Sequence, residues 1–160
     1  MASRTRLAND AWEALLSAHA RLMKQFAAED VWQDLSMREY DVLYTLSKCA
    51  EPVRMGELHR YVLLSQPALS RMVDRLVERG LVERRPDPTD GRGVRLWLTE
   101  AGRDTQHRIG RRHARSVARA LTAELRPEEL RQLAAIGWKL AGRPAATDAS
   151  TSNEKELARR

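Results

Sequence analysis

Residues Ser65 to Gly102 read SQPALSRMVDRLVERGLVERRPDPTDGRGVRLWLTEAG, and the order of the signals within them decides the fold. Ser65 just ahead of Pro67 predicts a helix start, because serine is a good N-cap and a proline in the first turn forfeits no hydrogen bond. Leu69, Met72, Val73, Leu76 and Val77 then recur at three- and four-residue steps, the buried stripe of a helix. Gln66, Ser70, Arg71, Asp74, Arg75 and Glu78 are left outward. Gly80 falls where a left-handed residue ends a helix. Leu81 to Arg85 and Val94 to Leu98 follow as two strands, the second alternating Val94, Leu96 and Leu98 with Arg95 and Trp97. Between them Pro86 to Gly93, PDPTDGRG, is turn chemistry and predicts a hairpin with an exposed tip.

Upstream, Pro52 interrupts the pattern and Met55 to Tyr61 predicts a short helix, weakened by Gly56. That helix, a short turn and Ser65 to Arg79 make a helix-turn-helix whose second member presents short polar groups and Arg71, chemistry that fits the base edges of duplex DNA. The hairpin behind it is a wing. Five arginines and no lysine lie between residues 79 and 95, with three acids among them. Asp90 therefore reads as a residue that holds an arginine in position.

Further out, Ser36-Met37-Arg38-Glu39 is a capping box that opens another helix, with Tyr40, Leu43, Leu46 and Cys49 along its inner side. Leu7 to Ala28 places Trp12, Leu15, Leu16, His19, Leu22, Met23 and Phe26 on one stripe of a long helix. After a Thr99 cap, a helix runs to about Leu125, and Pro127 opens the last one with Leu130, Leu133, Trp138 and Leu140. The predicted class is mainly α (α+β), with about six helices and a small antiparallel β-wing. A single domain spans 1–142: a winged helix-turn-helix lobe at 36–99, and a helical dimerisation region at 7–30 plus 100–141. Residues 143–160 are small, polar and free of aromatics, and read as a disordered tail. The outer helices carry more apolar surface than one small winged lobe can cover, so a homodimer is expected. Two-fold symmetry would place two recognition helices about 34 Å apart and call for a palindromic operator.

Composition agrees. With 28 basic against 22 acidic residues in 160, the chain carries +6, which favours an anionic partner, nucleic acid first and a membrane surface second. No run of about 18 apolar residues or signal-peptide core is visible, so a soluble cytoplasmic protein without a membrane partner is expected. The lone Cys49 excludes an internal disulfide framework and a thiolate zinc cage, and it is either a buried inert thiol or one activated by neighbouring Lys48. His107 and His113, six residues apart, face differently on a helix and do not make a metal pair. No nucleophile triad, carboxylate pair or phosphate-cradling loop is apparent. Neither an enzyme nor a cofactor is expected.

The helix Gln66 to Arg79 with its Ser70-Arg71 pair, the Asp90-x-Arg92 motif and the Leu98-Thr99-x-x-Gly102 start of the next helix together resemble the MarR family of winged helix-turn-helix transcriptional regulators. The resemblance implies that the helix from Gln66 lies in the major groove and that Arg92 enters the minor groove. Ser65, Gln66, Pro67, Ser70, Arg71, Arg75, Arg85, Asp90 and Arg92 are accordingly the candidate DNA-binding residues. Arg75 and Arg84 have a second reading as internal salt-bridge partners. The arginines at 103, 108, 111, 112, 115 and 119 cover several helix faces and read as solvated or paired between subunits, a few of them on phosphate.

The resemblance also implies a homodimer whose first and last helices interlock, and a small aromatic anionic effector bound between those helices and the winged lobe. Trp12, His19, Tyr40 and Tyr44 are candidates for lining that pocket, or else for the dimer core. Urate-responsive relatives resemble the chain at Trp12, Asp41 and Arg84, but Met72 stands where they carry an arginine. Peroxide-sensing relatives use a cysteine near the start of the first helix, and none is present here. The expected function is a sequence-specific, ligand-relieved repressor. A winged-helix protein-interaction module or a nonspecific architectural DNA binder are the alternatives.

Overall fold

A computed structural model describes residues 3–142, except for the side chains of Gly91 and Arg92, and the expected tail at 143–160 lies outside the described residues. The chain divides into two compact units, Met1–Val117 and Ala118–Arg160. In order, the elements are α1 (Arg4–Ala27), α2 (Met37–Ser47), β1 (Val53–Arg54), α3 (Met55–His59), α4 (Gln66–Glu78), β2 (Val82–Asp87), β3 (Asp90–Leu98), α5 (Glu100–Thr122) and α6 (Pro127–Leu140). Among the described residues these are six helices and one small sheet, the expected class.

Local chemistry accounts for most of the boundaries. At α2 the capping box forms as expected: the Glu39 N–H donates to Ser36 Oγ at 3.2 Å, and the Ser36 N–H donates to Glu39 Oε2 at 2.7 Å. Helix α4 begins with Pro67 in its first turn and ends on Gly80 at φ 69°. There the Gly80 N–H donates to the Val77 carbonyl and the Leu81 N–H to the Leu76 carbonyl, both at 2.9 Å, which is the Schellman arrangement. Ser65 stands at the N-cap, but its hydroxyl caps nothing. Thr99 Oγ1 accepts from the Gly102 N–H at 2.9 Å and donates to the Gly80 carbonyl at 2.7 Å, tying the start of α5 to the end of α4.

The sheet departs from the sequence reading in two ways. A two-residue strand, β1, pairs with β3 through Val53↔Leu96 and Arg54↔Arg95 and makes the order β1-β3-β2. The wing is also longer than expected, since β2 continues to Asp87, β3 starts at Asp90, and the turn shrinks to Pro88-Thr89. Asp87 accounts for this. Its Oδ1 accepts from the Thr89 N–H at 2.9 Å and the Thr89 hydroxyl at 2.8 Å, closing the turn locally. Pro86 is tolerated because β2 is an edge strand.

Leu43, Leu46, Leu58, Leu69, Leu76, Val82 and Leu96 form the core of the lobe, each essentially without exposed surface. Beside it Phe26, Trp32, Tyr40 and His113 pack ring against ring, and the Trp32 indole N–H donates to the Phe26 carbonyl at 2.7 Å. Helix α1 buries only Phe26, leaving Leu7, Trp12, Leu15 and Leu16 exposed. Helix α6 buries nothing, and Leu133, Ile136, Trp138 and Leu140 stay exposed.

Candidate nucleic-acid interface

The outward face of α4 carries the residues expected there. Ser65, Gln66, Pro67 and Arg71 are exposed and Ser70 is half-buried, while Leu69, Met72, Val73 and Leu76 hold the opposite face in the core. Arg71 has no hydrogen-bond or ion-pair partner among the described residues. The five N–H donors of its guanidinium are unused among the described residues.

The neighbouring arginines differ. Arg75 Nε lies 3.4 Å from Glu39 Oε1. Burial of the Glu39 carboxyl would raise its pKa, but the Ser36 backbone and hydroxyl and the Arg75 guanidinium outweigh this and hold it lowered. Arg84 is paired with Asp74. Arg85 donates from Nε to Glu83 Oε1 at 2.8 Å and lies over the Trp97 ring at 5.6 Å, as Arg103 does at 5.8 Å. Arg75 and Arg84 thus occupy the internal-pair positions of their second reading, and Arg85 is held along the wing with its side chain half exposed.

Sequence reasoning passed over the residue that organises the wing. The Asp87 side chain has no exposed surface and sits between Arg54 Nε at 2.6 Å and Arg95 Nε at 3.1 Å. The Thr89 N–H bond, opposed by burial and joined by Arg54, the Thr89 hydroxyl and Arg95, drives its carboxyl far below the ordinary carboxylate range. Arg95 also donates to the Pro52 carbonyl at 3.1 Å, so one carboxylate joins all three strands. Asp90 lies 3.9 Å from Arg54 Nη2 at the tip. The Arg92 side chain, expected to enter the minor groove, lies outside the described residues. The one sequence signal for Asp87 was an acid inside an arginine-rich turn.

Two of the four effector-pocket candidates line one groove, and a third, Tyr40, stacks on Tyr44 at 6.1 Å without lining it. His19 and Tyr44 line a groove of about 660 Å³ together with Lys24, Arg38, Asp41 and Tyr61, and the groove wall includes Val62, Leu63 and Leu64. Tyr40 is buried in the aromatic cluster with Trp32 and His113. Trp12 is 58% exposed on α1 and does not line the groove. Tyr61 and Leu63, missed in the sequence, are 74% and 96% exposed in the turn just ahead of α4. At Cys49, burial and then Glu57 push the thiol up, opposite to the activation that neighbouring Lys48 suggests; Lys48 instead lies over the Tyr44 ring. Among the described residues, no cluster of three or more His, Cys, Asp or Glu could hold a metal, and no helix is long and apolar enough to cross a membrane.

Comparison with known proteins bears on this geometry. Residues 33–93, from the loop before α2 into the wing, match the MarR family description. The multiple antibiotic resistance protein MarR of Salmonella typhimurium is 32% identical over 100 residues, 62% of this chain and 69% of that protein. Among solved structures, Sco3205, a MarR family transcriptional regulator from Streptomyces coelicolor in complex with DNA, is 25% identical with a TM-score of 0.72, covering 92% of this chain and 94% of its own. A mutant MarR from E. coli complexed with operator DNA is 28% identical with a TM-score of 0.68, covering 80% of this chain and 91% of its own. By sequence and by fold the chain belongs to the MarR family of winged-helix transcriptional regulators, and it is not an enzyme.

Proposed function

We propose that this regulator is a cytoplasmic homodimer that represses transcription by binding a palindromic operator and releases it when a small aromatic anion occupies the groove beside Tyr44. The observation that carries the DNA reading is Arg71, outward on the first half of α4 without a carboxylate partner while Arg75, Arg84 and Arg85 each have one. Gln66 and Ser70 flank it as base-edge contacts, with Ser65 and Pro67 at the helix start. Asp90 and Arg92 stand at the wing tip, with Arg85 along the strand. The lobe at 36–99 reads DNA, and the helices at 7–30 and 100–141 hold the dimer. The regulators in complex with DNA among the solved relatives support the same assignment.

The effector reading rests on the groove. His19, Lys24 and Arg38 supply basic groups, Tyr44 and Tyr61 supply rings, and the volume of about 660 Å³ accommodates a small aromatic acid. Its wall Val62–Leu64 leads directly into Ser65, so an occupant that displaces the wall displaces the start of α4.

Footprinting of the purified protein on the DNA flanking its own gene tests the regulator reading. A protected palindrome is the expected result; uniform coating would indicate an architectural protein, and no protection an interaction module. In gel shifts, Arg71→Ala is expected to cost roughly 1–3 kcal/mol of operator binding and to relax base preference, whereas Arg92→Ala weakens binding to all sequences alike. Unchanged affinity in both variants refutes the groove assignments.

A further inference from the structure

A smaller cleft, sharing no lining residue with the groove, lies at the C-terminal end of α4, where the loop between α1 and α2 meets the first turns of α5. Its volume is about 140 Å³, and its apolar floor is built from Trp32, Leu35, Leu81 and Ile109, all buried. The rim is polar: Arg79, Arg108, Thr105, Gln33 and Asp34. Arg79 Nη1 donates to the Asp34 backbone carbonyl at 2.9 Å. Arg108 donates to Gln33 Oε1 and, at 3.5 Å, to Thr105 Oγ1.

Every one of these acceptors is neutral. Among the described residues no carboxylate, that of Asp34 included, lies within ion-pair distance of either guanidinium. Arg54, Arg75, Arg84, Arg85 and Arg95, by contrast, each have a carboxylate partner. Gln33, whose side chain Arg108 holds, is the one non-glycine residue with positive φ among the described residues, at 57°. A long side chain in that region persists only where its surroundings fix it, and such positions cluster at ligand clamps.

We propose that this cleft binds a small oxyanion, a phosphate or a carboxylate, between Arg79 and Arg108. Each planar guanidinium has five N–H donors and uses one or two of them here, so forked contacts to two anion oxygens remain open to both. The Thr105 hydroxyl supplies a further donor. The apolar floor excludes water from one side and so strengthens the attraction. A cleft volume of about 140 Å³ has room for an anion of a few heavy atoms. Because Arg79 is the residue that closes α4, a bound anion ties the end of this helix to α5 and to the α1–α2 loop. None of Gln66, Ser70 and Arg71 lines the cleft, so the proposal stands apart from the DNA reading.

Isothermal titration of the full chain without DNA, using sodium phosphate and then sodium acetate at ionic strength balanced with chloride, tests this. Expected is one saturable site per chain, weakened about tenfold or more in Arg108→Gln, as loss of a charge-assisted hydrogen bond demands, and unchanged in Arg71→Ala. Thr105→Asp keeps both arginines but gives them an internal carboxylate, and is expected to weaken binding as much; it decides the matter if Arg108→Gln does not fold. Saturation by phosphate alone assigns the site to phosphate sources, and saturation by acetate assigns it to carboxylates. The proposal is overturned by the absence of saturable binding of either salt, by binding that survives Thr105→Asp, or by binding lost in Arg71→Ala, which would place the anion on the outward face of α4.

Discussion

His113 is a base enclosed by rings: Phe26 stands edge-on at 5.2 Å, Trp32 lies at 4.8 Å and Tyr40 at 6.0 Å. Its Nδ1 is buried with no hydrogen-bond partner. Burial disfavours the imidazolium and lowers the pKa, Glu29 opposing it. The unfolded chain therefore binds a proton at a pH where the folded one does not, and stability rises with pH across that window. Stability from this residue is complete above the ordinary imidazole value near 6.5 and is lost as the pH falls from there through the lowered value. Thermal unfolding followed from pH 8 down to pH 5 should show that decline, and His113→Phe should flatten it. A decline of equal slope in the variant would assign it to other groups.

Gly102 shows why the Leu-Thr-x-x-Gly start of α5 takes its form. A Cβ there would stand 2.0 Å from the Leu81 carbonyl oxygen, a backbone atom that cannot step aside. Gly102→Ala is expected to destabilise by about 1–3 kcal/mol in urea unfolding, the cost of overpacking. Gly56→Ala in α3, where a Cβ meets nothing within 4 Å, is expected instead to stabilise by about 0.5–1 kcal/mol. Helices of this kind were legible in the sequence because their determinants are local: the Ser36–Glu39 box, Pro67, Gly80 and the stripe from Leu69 to Leu76 act within a few residues. Strand β1 was not legible, since two residues show no alternation and Val53 becomes a strand only by pairing with Leu96. The turn at Pro88-Thr89 was obscured for a related reason, because Asp87 could be read as loop until Arg54, 33 residues away, was placed beside it. The candidate site divides the same way. The outward residues of α4 follow from helical periodicity, whereas the different surroundings of the stacked Tyr40 and Tyr44 rings, the first buried in the aromatic cluster and the second lining the groove, depend on tertiary packing.

At the scale of the molecule, α1 and α6 each expose apolar side chains that a stable soluble assembly would cover. Trp12, Leu15 and Leu16 on α1, and Ile136 and Leu140 on α6, are the proposed dimer contacts. Leu16→Lys is expected to shift the protein to monomer in sedimentation velocity at micromolar concentration and to reduce operator affinity steeply, while leaving the secondary structure seen by circular dichroism intact. A dimer of unchanged stability would remove α1 from the interface. The pairing of arginines within the lobe also bears on how electrolyte would govern the proposed DNA complex. A lone cation that neutralises a phosphate contributes about 0.9 to the slope of log affinity against log salt, through release of condensed counterions. Arg54, Arg75, Arg84, Arg85 and Arg95 already share carboxylates of their own chain, so a phosphate reaching them meets partly cancelled charge. The number of arginines on this surface therefore exceeds its effective ionic valence, and the proposed complex is expected to hold bulk DNA weakly at physiological salt, with base-edge contacts holding the lobe on its operator.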